Sequence, residues 1–149
     1  MKMKLTLILL LIGASFSMFT GCKKHHESID TTITETFTTK TINKDATVTF
    51  TGTFTATGGL TISGTDVMNT RLTTDSSFCV VVLTTRNGTF TTHQNCNRLN
   101  MTGHWDIVSG TGIFKFLHGS GPLVMMFPPN VPTGVFVIET ETGEISWMR

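Results

Sequence analysis

Thr47-Val48-Thr49-Phe50-Thr51-Gly52-Thr53-Phe54-Thr55-Ala56 alternates strictly, with Val48, Phe50, Phe54 and Ala56 on one face and Thr47, Thr49, Thr51, Thr53 and Thr55 on the other. A period of two belongs to an extended strand, whose successive side chains point to opposite sides. One apolar and one polar face describe an antiparallel strand covered on a single side. The same chemistry runs through the chain: threonine is its commonest residue, roughly a fifth of the total, and with Phe, Val and Ile it suits a pleated, half-buried surface.

Turn signals recur at short intervals as Asn43-Lys44-Asp45, Gly58-Gly59, Ser63-Gly64, Asn87-Gly88, Ser109-Gly110-Thr111-Gly112, Gly119-Ser120-Gly121 and Thr142-Gly143. Between them, strands are predicted near 31–42, 46–57, 65–73, 77–86, 89–96, 102–109, 112–118, 122–127, 134–140 and 144–148. Short strands at this spacing indicate a sandwich or a barrel. Phe127-Pro128-Pro129-Asn130-Val131-Pro132 cannot continue a central strand, because proline lacks the N–H a ladder needs, and is predicted as an extended loop.

Asn87-Gly88 between apolar runs is the strongest hairpin signal, since a type I′ turn needs positive φ at both central residues. Pairing Arg86 with Thr89 and counting outward places Cys79 opposite Cys96. That pair is of the non-hydrogen-bonded kind, with Cα atoms about 4.5 Å apart, a separation a disulfide can span. A Cys79–Cys96 disulfide is therefore expected, closing a loop of about 17 residues and worth up to about 3 kcal/mol. A redox role lacks support because the chain has no Cys-x-x-Cys.

The N-terminus has the anatomy of a secretory leader: Lys2 and Lys4, an apolar run from Leu5 to Ile12, then Gly13, Ala14, Ser15 and Ser17. The run is shorter than the roughly 20 residues of a spanning helix. Phe19-Thr20-Gly21-Cys22 resembles the lipobox of bacterial lipoproteins, in which the cysteine thiol receives diacylglycerol and becomes the new N-terminus. The resemblance implies residues 1–21 as signal peptide, lipid (palmitate-type acyl chains) on Cys22, and a membrane-anchored, extracytoplasmic address in a bacterial cell envelope. Lys23, Lys24, His25 and His26 then read as part of a tether over 22–30, and the adjacent imidazoles make a poor metal site. The remaining 31–149 is long enough for one domain with one core.

Formal charge is +1 for the whole chain and falls to −1 once Lys2 and Lys4 leave with the leader. With no basic stripe, a nucleic-acid partner is not expected.

Gly103-His104-Trp105-Asp106-Ile107-Val108-Ser109-Gly110-Thr111-Gly112-Ile113-Phe114-Lys115-Phe116-Leu117-His118-Gly119-Ser120-Gly121 reads as a strand, a Gly-Thr-Gly turn and a returning strand. It is not a dinucleotide fingerprint, for it lacks the third glycine and the following helix. Trp105, Gly110, Thr111, Gly112, Phe114, Leu117, Gly119 and Gly121, with Gly52-Thr53-Phe54 and the Phe78-Cys79 to Cys96 hairpin, resemble secreted bacterial proteins similar to the allene oxide cyclase and dirigent barrel families. Over about 50–126 the resemblance implies an all-β fold, an antiparallel β-barrel of about eight strands whose lumen can hold a small apolar molecule. The matching positions are turn glycines and core residues, so activity does not follow from them.

No Gly-x-Ser-x-Gly elbow, phosphate loop or His-Glu-x-x-His occurs, and no cofactor is expected. His93, His104, Asp106 and His118 form the one cluster suited to acid–base or metal chemistry, although Trp105 and Ile107 claim the core side of that strand. Arg71, Arg86 and Arg98 could clamp an anion but form no motif. Met125, Met126 and Phe127 beside the proline loop suit adaptable apolar binding. Glu139, Glu141 and Glu144 read as the solvated end of a hairpin, and no paired carboxylates can be placed. The expectation is a lipid-anchored barrel that binds a small apolar ligand or a partner, with a cyclase-like enzyme or an adhesive surface lipoprotein as alternatives.

Overall fold

Alternation carries through the whole fold. In a computed structural model, which describes residues 27–148, the strands are β1 Ile29–Ile42, β2 Val48–Gly58, β3 Ile62–Leu72, β4 Ser76–Thr85, β5 Gly88–Asn97, β6 Thr102–Gly110, β7 Leu117–Met126 and β8 Val137–Trp147. Each pairs antiparallel with the next, and β8 returns to β1, so the eight strands close into a barrel in sequence order. Closure leaves no unpaired sheet edge. The leader, Cys22 and Lys23 to His26 lie outside the described residues.

The lumen is a filled core divided into levels. At one end Phe54, Phe90 and Phe114 interlock, with ring centroids 6.0 Å apart for Phe54–Phe90 and 5.2 Å for Phe90–Phe114. Phe114 comes from a short 3-10 helix, Gly112–Phe114, that folds back between β6 and β7 and plugs this end. The opposite end carries the β1–β2, β3–β4, β5–β6 and β7–β8 connections, including the proline segment, which is a loop as expected.

Three sequence expectations need correction. The ten short strands merge into eight, because Gly119-Ser120-Gly121 lies within β7 and Thr142-Gly143 within β8. These glycines serve close approach rather than turning: a Cβ on Gly121 would stand 2.0 Å from the Thr142 carbonyl oxygen, and one on Gly143 2.1 Å from that of Ser120. Pro122, with no N–H to give, falls where the β7–β8 ladder breaks between the Ser120/Glu144 and Leu123/Glu141 pairs. There the buried Trp105 donates its indole N–H to the Thr142 carbonyl at 3.1 Å.

The β4–β5 register is the second correction. Thr85 pairs with Gly88, so the turn is Arg86-Asn87 and the ladder is displaced by two residues. Thr85 Oγ1 donates to the Gly88 carbonyl at 3.0 Å and accepts from the Asn87 N–H at 3.1 Å. The Gly112 turn clasps the hairpin from outside, with the Thr89 N–H donating to Thr111 Oγ1 and the Ile113 N–H to the Asn87 carbonyl. A two-residue slip keeps every side chain on its face.

It also separates the cysteines, which is the third correction. Cys79 stands opposite Gln94 and Cys96 opposite Ser77. Such diagonal neighbours lie about 7–8 Å apart, beyond the Cα separations a disulfide bridges. Both are free, buried thiols, and Thr70 Oγ1 donates to Cys79 Sγ at 3.4 Å.

Candidate functional site

The histidine cluster does not assemble. Trp105 and Ile107 point into the core as expected, which turns His104 and Asp106 outward. His93 faces Asp106 across β5–β6 on the outer surface and packs its ring on Phe78, 5.4 Å between centroids, while His104 and His118 are exposed. Among the described residues no group of three His, Cys, Asp or Glu is placed to hold a metal ion. The arginines are also dispersed: Arg71 borders an outer groove, Arg86 sits in the hairpin turn, and only Arg98 reaches the open end of the barrel.

At that open end lies a cavity of about 240 Å³ whose walls are Val48, Phe50, Met68, Leu72, Met101, Met125, Phe127 and Val137, with Thr70 and Ser77 as polar breaks. Met125 and Phe127, two of the three residues suspected from the sequence, therefore converge here. Met126, between them, alternates outward and is exposed. Lys40 and Arg98 form the charged part of the rim. Lys40 Nζ lies 5.9 Å from the Phe50 ring centroid, and the Arg98 guanidinium donates to the carbonyls of Thr73 and Thr74. Met101 holds a left-handed φ of 57°, a conformation uncommon without glycine, and its carbonyl accepts the Met125 N–H at 2.9 Å.

One level deeper the lumen changes character. Glu35, Asp66, Glu139 and Glu141, together with Thr92 and Gln94, are all buried to within 1 % of full occlusion. Glu139 follows Val137 on the inner face of β8 and stands opposite Met125, so it adjoins two cavity walls without lining the cavity itself. Asp66 stands in the same relation to Met68 on β3. Across the β1–β8 seam Glu35 pairs with Glu139. Gln94 Nε2 donates to Glu141 Oε1 at 2.8 Å. Both oxygens of Glu35, Asp66 and Glu139, the second oxygen of Glu141, Gln94 Oε1 and Thr92 Oγ1 find no donor among the described residues.

This level was missed by the sequence reading, which placed Glu139 and Glu141 on a solvated hairpin end. The error follows from Gly143: taken as a turn it ends the strand, whereas β8 runs through it and Val137, Glu139, Glu141 and Ile145 share the inner face. The signal was an acidic residue in phase with an apolar stripe, visible also in Ile33-x-Glu35-x-Phe37.

Electrostatics follows from burial without counter-charge. The described interior contains no buried Lys, Arg or His. Desolvation pushes Asp66 up to about 7 and Glu141 to about 8. Glu35 is driven well above the ordinary carboxyl range, first by burial and then by the charges of Glu141 and Glu139. Burial raises Glu139 as well, to about 7, with the neighbouring Glu35 and Gln94 restraining the rise. Glu35 and Glu139, facing each other across the β1–β8 seam inside the barrel, resist carrying charge together. Cys79 and Cys96, on the neighbouring strands, are pushed to about 12, mainly by desolvation.

The arrangement can therefore take an apolar body in the outer cavity, with a level of buried carboxyls behind the cavity walls. No family model, curated protein or solved structure matches the chain.

Proposed function

We propose that the protein is a non-catalytic carrier of a small apolar or amphipathic molecule, held in the open end of the barrel. The observation that supports this most is the cavity of about 240 Å³ walled by Val48, Phe50, Met68, Met125, Phe127 and Val137, apolar side chains with three flexible thioethers nearby once Met101 is included. A concave apolar surface with a few polar groups is the usual form of a small-ligand site. Methionine adapts to guests of differing shape. A guest burying about 250 Å² of apolar surface gains roughly 6 kcal/mol at about 25 cal/mol/Å², part of which is offset by the cost of association. The reading therefore expects binding in the micromolar range or weaker.

The lipobox-like Phe19-Thr20-Gly21-Cys22 supports the further proposal that this carrier is tethered through lipid on Cys22 at an extracytoplasmic membrane face. Mass analysis of the protein from its native membrane tests the anchor: the mature chain should begin at Cys22 and carry acyl chains.

Titration with the neutral fluorophore N-phenyl-1-naphthylamine tests the carrier reading. Saturable binding of one probe per chain is expected, abolished by Val137→Trp, which fills the cavity, while the circular dichroism of the variant keeps its β signature. Probe binding indifferent to Val137→Trp would remove the proposal.

A further inference from the structure

The carboxyl level behind the cavity walls is unexplained by a purely apolar guest. We propose that it is the head-group site of the carried molecule and that this head group is a protonated amine. The inference rests on the carrier reading and adds a chemical class to it.

Three observations lead there. First, polar atoms at this level go unpartnered: the oxygens of Glu35, Asp66 and Glu139, one oxygen of Glu141, and Gln94 Oε1 have no hydrogen-bond partner among the described residues. Buried acceptors left unpaired are costly. An ammonium group supplies directed N–H donors and brings positive charge as well. Water could satisfy the hydrogen bonds but brings no charge that would favour the ionised carboxylates.

Second, the acids lie immediately behind the cavity walls rather than at random in the core. Glu139 is opposite Met125 and next inward from Val137, and Asp66 is next inward from Met68, all three being cavity walls. Third, the level is surrounded without any basic group. Glu35 comes from β1, Asp66 from β3, Cys79 from β4, Gln94 and Cys96 from β5, and Glu139 and Glu141 from β8, while β2, β6 and β7 bury only apolar side chains. No three of the described acids or thiols are placed to hold a metal, so the charge they call for suits an organic cation.

Lys40 and Arg98 at the rim do not overturn this. Both are exposed, and Arg98 is engaged with the Thr73 and Thr74 carbonyls. Exposed rim charges act through the high dielectric of water, whereas the carboxyls are fully buried. Seating the ammonium favours the ionised carboxylates beside it, so protons leave the level as the amine binds.

Calorimetric titration of the purified protein with n-octylammonium, n-octanol and octanoate at pH 7.5, repeated in phosphate and Tris buffers, tests the proposal. The ammonium should bind at least about tenfold tighter than the alcohol, because a site built around hydrogen-bonding groups rejects a guest that leaves them unpaired. Its apparent enthalpy should differ between the buffers in the sense of proton release. In Glu139→Gln, and separately in Glu35→Gln, the ratio of ammonium to alcohol affinity should fall toward one. Equal binding of ammonium and alcohol to the unaltered protein would overturn the amine assignment and leave the carrier reading intact. Tightest binding by octanoate would overturn it in favour of the Lys40 and Arg98 rim. Absence of binding by all three would remove the carrier reading together with it.

Discussion

Raising the pH from 5 to 9 ionises the carboxyl level inside a closed barrel, and the cost can be worked from the structure. Glu141 moves from an ordinary 4.5 to about 8 on folding, and Asp66 from 3.8 to about 7, in both cases chiefly through burial. Between those values the unfolded chain has lost its protons while the native chain keeps them. The unfolded state then binds fewer protons, so stability falls as pH rises. It is complete below about pH 4, declines through the window up to about pH 8, and is level above it. At about 1.4 kcal/mol for each pH unit, Glu141 alone accounts for on the order of 5 kcal/mol. The four acids share protons and do not add independently, so a total loss on the order of 5 kcal/mol is the working figure. That is a large part of the 5–15 kcal/mol typical of a domain, roughly speaking. Asp45 carries the opposite sign, since its exposed carboxylate is held below its ordinary value by Thr47, and it acts only in acid. Urea unfolding followed by the fluorescence of the buried Trp105 at pH 5, 6, 7 and 8 measures the effect. A midpoint that drops steadily over that range is expected, with a shallower slope in Glu141→Gln and in Asp66→Asn. A midpoint that is constant or rises with pH would refute the argument.

Three other outcomes are expected. Cys79 and Cys96, buried free thiols held near 12, should resist iodoacetamide in the native protein, react after denaturation, and show no mass change on reduction; a gain of two hydrogens on reduction would restore the disulfide. Phe114→Ala empties the aromatic plug against Phe90 and should cost about 3–5 kcal/mol in denaturant unfolding, whereas a loss below about 1 kcal/mol would mean that the 3-10 turn is not part of the closed end. Gly121→Ala drives a methyl to 2.0 Å from the Thr142 carbonyl and should lower stability by about 1–3 kcal/mol and expose the Trp105 indole to quencher; an unchanged melting temperature would contradict the close approach of β7 and β8.

The fold was legible in the sequence because a period of two is a local property: Val48, Phe50, Phe54 and Ala56 lie in the lumen as the alternation requires, as do Trp105 and Ile107. What escaped was decided by distant parts of the chain. The Asn87-Gly88 turn slips because Thr111 and Ile113, more than twenty residues on, hydrogen-bond it. Gly119, Gly121 and Gly143 carry the residue type of a turn but serve strand contact, which only the closed barrel reveals. Met125 and Phe127 could be suspected from their chemistry, and Met126 was separated from them only by alternation. The acid level was hidden for a different reason. Glu139 and Glu141 are ordinary surface residues by type, and their burial depends on β8 continuing through Gly143 to close on β1.

The central claim is that the open end of the barrel carries a small apolar molecule, and the most direct test is to see one there. A crystal of the protein soaked with a long-chain bromoalkane should show an anomalous bromine peak enclosed by Met68, Met125 and Val137, at the level above Glu139. Bromine found only on the outer surface, with these side chains packed against one another, would contradict it.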